Sequence, residues 1–173
     1  EFTKTSGPGP LIGIALSSEF TQAAPGVTST SYGYYAGNGQ KYNNNVGTAY
    51  GAGYANGDVM GVALDMDAGT LTFYKNNTSQ GTAFTGLSGA FVPAFSGDAS
   101  GTSLVFVANF GQRPFAYTPP SGFRSLCTTN LPASTVLKGG DYFNPVLYTG
   151  NGSSQSITGV GFQPDFTWIK SRS

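Results

Sequence analysis

An all-β, antiparallel β-sandwich is the fold class this sequence predicts, and three observations predict it. Gly, Pro, Asn and Thr interrupt every window long enough to carry helical periodicity, and all four are poor in helix interiors. Short runs rich in β-branched and aromatic residues recur between turn signals. With 39% hydrophobic and 14% aromatic side chains, the 173 residues suffice for one sandwich core and part of a second domain.

The elements follow in order. Residues 1–5 read as a strand. The clearest unit spans 58–84: one strand over 58–65, a turn at Asp67-Ala68-Gly69, a second strand over 70–75, and a third reaching Phe84. Leu71 and Phe73 alternate with Thr72 and Tyr74, which assigns one face to the core. Asn76-Asn77 supplies the left-handed conformations of a tight turn, giving a three-stranded meander. Residues 91–95 precede a polar, glycine-rich loop at 97–101. The run 103–110 is apolar at nearly every position and is expected either as a central strand covered on both faces or at a subunit contact.

Composition shifts near Leu131, dividing the chain into a sandwich over 1–130, a linker over 131–137 and a second, truncated β-rich unit over 138–173. In that unit 141–148, 156–160 and 166–169 read as three strands. About forty residues seldom fold alone, so these are expected to complete a sheet with the first domain, a neighbouring chain or a continuation. The chain reads as an excerpt of a longer protein.

Charge excludes several functions. Charged residues make up 9% of the chain, eight of each sign, so no strong field steers it onto nucleic acid or an anionic membrane surface. No apolar stretch approaches the ~20 residues that span a bilayer. The single cysteine, Cys127, permits no internal disulfide, and packing or homo-oligomerisation must hold the fold.

The chemistry of catalysis is sparse. No histidine is present, which removes Ser-His-Asp and Cys-His mechanisms and the commonest neutral metal ligand. Cys127 has no basic neighbour or helix start to stabilise a thiolate. Asp65 and Asp67 could suggest a glycosidase acid pair, but they flank a tight turn whose amides Asp65 is placed to accept. Asp58 and Asp98 are single carboxylates without the density a calcium site needs. We expect no catalytic residue, no metal and no cofactor. Asn76, Asn77 and Asn151 each open an N-glycosylation triplet, a motif that also occurs by chance.

One stretch suits recognition. Tyr32, Tyr34, Tyr35, Asn38, Gln40, Tyr42, Asn43, Asn44 and Asn45 combine rigid amphipathic rings with paired amide donors and acceptors; with Asp98 they are the candidate ligand-binding residues. The alternative reading places alternate tyrosines in the core and leaves the asparagines to satisfy turn geometry.

The order and spacing of Gly57-Asp58-Val59-Met60-Gly61-Val62-Ala63-Leu64-Asp65, Gly69-Thr70-Leu71-Thr72-Phe73-Tyr74-Lys75-Asn76-Asn77 and Gly81-Thr82-Ala83-Phe84 closely resemble the SPRY domain, a concanavalin-like jelly roll. Leu11 to Ala15 and Ser31 to Tyr34 stand where earlier SPRY strands stand, and Val107-Ala108-Asn109-Phe110-Gly111 with Pro114-Phe115 match its closing strand. The resemblance covers roughly residues 1–120. It implies the fold firmly and a particular partner only weakly, because the family binds many unrelated partners.

Residues 110–123 resemble the SPRY version found in bacteriophage tail-fibre-like and other virion structural proteins. Residues 139–170 resemble the start of an uncharacterised domain that follows SPRY there. The resemblance therefore implies a non-catalytic module on a virion or extracellular appendage that binds a host cell-surface glycan or protein receptor. The alternative is a structural filament, spacer or decoration subunit whose partners are copies of itself.

Overall fold

The computed structural model describes residues 1–19, 24–97, 103–131, 135–136 and 138–171. It separates into two units, 1–130 and 131–173.

Among the described residues of the first unit, ten strands pair into two five-stranded antiparallel sheets. The first sheet has the order β10 (Val105–Ala108), β1 (Phe2–Ser6), β6 (Val59–Asp65), β7 (Thr70–Lys75), β8 (Thr78–Phe84). The second runs β5 (Val46–Thr48), β4 (Lys41–Asn43), β3 (Ser31–Tyr35), β2 (Leu11–Leu16), β9 (Phe91–Ser96). The all-β sandwich is thus the observed class, with helix among the described residues limited to short 3-10 turns.

The core lies between the sheets. Phe2, Met60, Leu71 and Phe73 come from the first sheet, Ile12, Ile14 and Tyr34 from the second, and Tyr54 from the connection between β5 and β6. Period-two alternation places them: Leu71 and Phe73 are fully buried on β7 while Thr72 and Tyr74 stay half-exposed. Pro93 lies in β9, an edge strand, where its missing donor faces no further neighbour.

The meander over 58–84 forms as the sequence predicts, with Met60 opposite Lys75 and Lys75 opposite Thr78. Asn76 and Asn77 close its second hairpin at φ 47° and 68°. A two-residue loop with positive φ at both positions matches the right-handed twist of the flanking strands. Asn76 is also fixed chemically: its Oδ1 accepts from the Val59 amide at 2.9 Å and its Nδ2 donates to Asp58 at 2.6 Å. Asn76→Ala should therefore cost about 1–2 kcal/mol from left-handed strain and lost bonds, whereas Asn77→Gly should be neutral or stabilising; urea unfolding of both variants checks this.

One reading of the sequence needs correction. The apolar run at 103–110 is not a central strand: β10 is at a sheet edge, with Phe106 and Ala108 turned to the core and Val105 and Val107 outward and largely exposed. Its continuous apolarity hides an ordinary alternation. The polar loop expected at 97–101 falls mostly outside the described residues.

The sequence leads one to expect strands in the second unit. Among its described residues no strand forms, and a 3-10 turn at Gly139–Asp141 is its regular element. Asn144 ties the segment locally by donating to the carbonyls of Gly159 and Val160, both at 3.0 Å. The apolar runs at 141–148, 156–160 and 166–169 pair with no neighbouring strand among the described residues. Phe143, Phe166 and Trp168 are accordingly about four-fifths exposed.

Candidate functional site

The Tyr/Asn stretch is not a loop. It folds into β3, β4 and β5, joined by a turn at 36–40 and a two-residue hairpin. Alternation along these short strands divides the candidate residues between the inside of the sandwich and its outer face.

Tyr34 is a correction. It is fully buried, stacks on Phe73 with ring centroids 5.1 Å apart, meets Tyr50 edge-on at 5.2 Å, and donates its hydroxyl to the Ala52 carbonyl. It belongs to the core because β3 turns it inward, so it cannot touch a ligand in the folded chain. Tyr32 lies on the same side, half-buried against Phe84 at 4.9 Å and Phe91 at 5.9 Å.

The asparagines build the hairpin. Asn44 and Asn45 occupy its two positions at φ 51° and 60°, and their amides donate to Thr28 and Gly26. Asn43 spends its Nδ2 on the carbonyls of Ser29 at 3.0 Å and Ser31 at 2.9 Å, fastening the 28–31 segment to β4. The turn reading applies to Asn44 and Asn45, while Asn43 ends β4 and anchors the 28–31 segment.

Tyr35, Asn38, Gln40 and Tyr42 remain, and the fold brings them together on the outer side of β3 and β4. The Tyr35 and Tyr42 rings meet edge-to-face at 6.3 Å and 86°. Gln40 Oε1 accepts from the Tyr42 hydroxyl at 3.0 Å and from Asn38 Nδ2 at 2.9 Å, while the Gln40 amide donates to Asn38 Oδ1 at 3.0 Å. Glycines make room for the rings: a Cβ on Gly37 would come within 2.7 Å of the Tyr35 ring, and one on Gly47 within 2.7 Å of the Tyr42 ring.

The ionic residue of these strands is turned away from the cluster. Lys41 donates Nζ to the Ala83 carbonyl and lies over the Tyr50 and Phe84 rings, 5.6 Å and 5.2 Å from their centroids. It closes the gap between β4 and β8, a cation–π placement favoured by exclusion of water.

The other candidates are dispersed. Asp98 lies outside the described residues. Asp65 accepts from the amides of Asp67 and Ala68 at 3.0 and 2.9 Å, so it caps its turn and is not half of an acid pair. Asp58 bridges to Lys75 at 3.2 Å. Asn77 and Asn151 are exposed in turns, Asn151 accepting from the Ser153 amide at 3.0 Å. No group of three or more His, Cys, Asp or Glu that could hold a metal occurs among the described residues. Cys127 sits 3.2 Å from Ser125 Oγ and 2.9 Å from Thr129 Oγ1, and those hydrogen bonds draw its thiol pKa below the usual value.

What sequence reading missed is the role of Gly37 and Gly47 as ring supports and the inward turn of Lys41. The Asn43-Asn44-Asn45 run between Tyr42 and Val46 was the available signal for a hairpin.

The buried tyrosines give the site a pH limit. Burial, with the neighbouring Tyr50 adding to it, pushes Tyr34 up to about 12; burial also raises Tyr50 and Tyr54. Because the folded state holds these protons more tightly, it binds more protons than the unfolded state above pH ~10, and stability falls as pH rises through 10–12. Unfolding at pH 8 and pH 11 should show full stability at the first and a clear loss at the second, with part of the tyrosinate absorbance appearing only on unfolding.

The sandwich presents ordered aromatics and amides on its outer face, and Asp58 and Asp65 are taken up by an ion pair and a turn. The SPRY domain matches residues 2–113, and the chain belongs to the SPRY family. A domain of unknown function (DUF7483) matches 138–173. Ran-binding protein 9 of Xenopus tropicalis is 34% identical over 109 residues, covering 61% of this chain and 20% of that protein. Ran-binding protein 10 of Danio rerio is 33% identical over 109 residues, covering 61% and 18%. The chain thus spans about a fifth of the length of these relatives. A crystal structure of a human SPRY domain aligns at TM-score 0.49 and 21% identity, over 54% of this chain and 65% of that one.

Proposed function

We propose that the chain is a non-catalytic recognition module that engages a host cell-surface receptor, glycan or protein, through the outer side of β3 and β4. The observation that carries this reading is the Tyr35–Tyr42 pair with Asn38 and Gln40 locked beside it. Rigid rings and oriented amides cost little entropy to present, which is how adaptable recognition surfaces gain affinity. The charge-poor, hydroxyl- and amide-rich composition supports a setting on an extracellular or virion appendage such as a phage tail fibre, where repeated copies multiply weak contacts.

The test is binding of the full chain to bacterial envelope material, with polysaccharide and protein fractions assayed apart. Saturable binding that the double variant Tyr35→Ala, Tyr42→Ala loses and the distal variant Asp67→Ala keeps supports the reading. Binding indifferent to the double variant, or none to either fraction, sinks it.

A second reading, an assembly subunit, draws on the exposed Phe143, Phe166 and Trp168 of residues 138–171. Exposed aromatics at this density mark surfaces that are covered in use, here by copies of the chain. Sedimentation should then show concentration-dependent association that Phe166→Ser with Trp168→Ser abolishes; a monomer at all concentrations would end this reading.

A further inference from the structure

Resting on the recognition reading above, we propose that the ligand of the Tyr35–Tyr42 face is an uncharged saccharide, with C–H ring faces against the tyrosines and hydroxyls on the Gln40 and Asn38 amides. Three features of the site select that chemistry.

The first is the supported pair of rings. Gly37 and Gly47 back Tyr35 and Tyr42 with bare backbone, where any side chain would collide with a ring. The rings are therefore fixed in an edge-to-face pair while each stays half-exposed. An apolar plate with a hydroxyl at its rim suits a molecule that is apolar on its faces and polar around its edge.

The second is the polarity of the amide. Gln40 Oε1 is occupied by two donors, Tyr42 OH and Asn38 Nδ2. That fixes which way the carboxamide points and leaves Nε2, with two hydrogens, without a partner among the described residues. The Tyr35 hydroxyl likewise has no hydrogen-bond partner among them. Outward donors and acceptors placed within one side chain of two rings can pair vicinal hydroxyls, which donate and accept together.

The third is the missing charge. Lys41 spends its ammonium on Ala83 and on the rings inside the sandwich, and no carboxylate belongs to the cluster. An anionic polymer or a charged peptide would gain no ionic contact here. A protein partner also needs about 800 Å² of buried surface on each side, whereas the cluster is four side chains, Tyr35 on β3, Asn38 and Gln40 in the 36–40 turn and Tyr42 on β4. A short oligosaccharide suits a site of that extent.

The experiment uses the full chain against immobilised neutral oligosaccharides of glucose, galactose, mannose and N-acetylglucosamine. Polygalacturonate, dextran sulfate and a deglycosylated envelope-protein fraction are parallel arms. Saturable binding to a neutral sugar is expected, insensitive to added salt because no ionic contact is screened. It should be weakened about tenfold by Gln40→Ala or Tyr42→Phe, the loss of one hydrogen-bonded anchor. Tyr42→Phe keeps the ring and its packing, so its effect cannot come from misfolding. Binding of none of the neutral sugars, binding confined to the anionic polymers, or affinity unchanged in both variants overturns the proposal. Capture of the deglycosylated protein fraction through Tyr35 and Tyr42 would overturn the saccharide assignment while leaving recognition by this face standing; no ligand of any arm held by these residues would remove both.

Discussion

Phe73→Ala lowers the unfolding free energy by about 3–5 kcal/mol, the usual cost of emptying a buried aromatic site. Phe73 is fully buried at the middle of β7, stacked on Tyr34 at 5.1 Å and meeting Tyr50 at 6.1 Å. Its backbone amide also donates to the Tyr50 hydroxyl at 3.2 Å, and that hydroxyl in turn reaches the Gly81 carbonyl. Removing the ring therefore opens a cavity between the sheets and loosens the polar link from the β5–β6 connection to β7 and β8. Domains of this size carry roughly 5–15 kcal/mol in total, so much of the stability goes with one side chain. Denaturant unfolding measures it directly. A loss under about 1 kcal/mol would mean that the site collapses and that the two sheets are less rigidly spaced than described.

Gly13→Ala is the second large effect. Gly13 pairs with Gly33 across β2 and β3, and a Cβ placed on it would lie 1.8 Å from the Tyr32 carbonyl oxygen and 2.9 Å from its carbon. Those atoms are backbone, so no rotamer change relieves the clash and the strands must part. We expect a cost of about 3 kcal/mol, at the upper end of overpacking, read by thermal unfolding. Gly33→Ala should behave similarly, since its Cβ would meet the Pro25 carbonyl oxygen at 2.3 Å. A Gly13→Ala protein of native stability would show that the β2–β3 register differs from the one described.

These two residues show how far the sequence could be read. Phe73 was legible: its alternation with Thr72 and Tyr74, next to an Asn-Asn turn, defines both strand and face. The Gly13–Gly33 pair was not, because glycine in a strand announces close approach without naming what approaches. The same limit governs the site. Tyr32, Tyr34, Tyr35 and Tyr42 are one residue type in one stretch, and only the start of β3 decides that Tyr34 goes inward and Tyr35 outward. Asn43, Asn44 and Asn45 looked like ligand contacts because their side chains are equally suited to turns, and the hairpin claims them. The 103–110 run misled through composition, since β-branched residues are as common on an exposed edge as in a covered centre. For 141–169, pattern alone marked strands, but a strand exists only with a neighbour to pair.

The most direct test of recognition by the β3–β4 face is to follow the side-chain amide resonances of Asn38 and Gln40 by NMR while the chain is titrated with its bound envelope fraction. Recognition through this face predicts that these two amides and the backbone of Tyr35 and Tyr42 shift together, saturably, while Asn76 and Asn77 stay fixed. Shifts that leave Asn38 and Gln40 unmoved and gather elsewhere on the sandwich would contradict it.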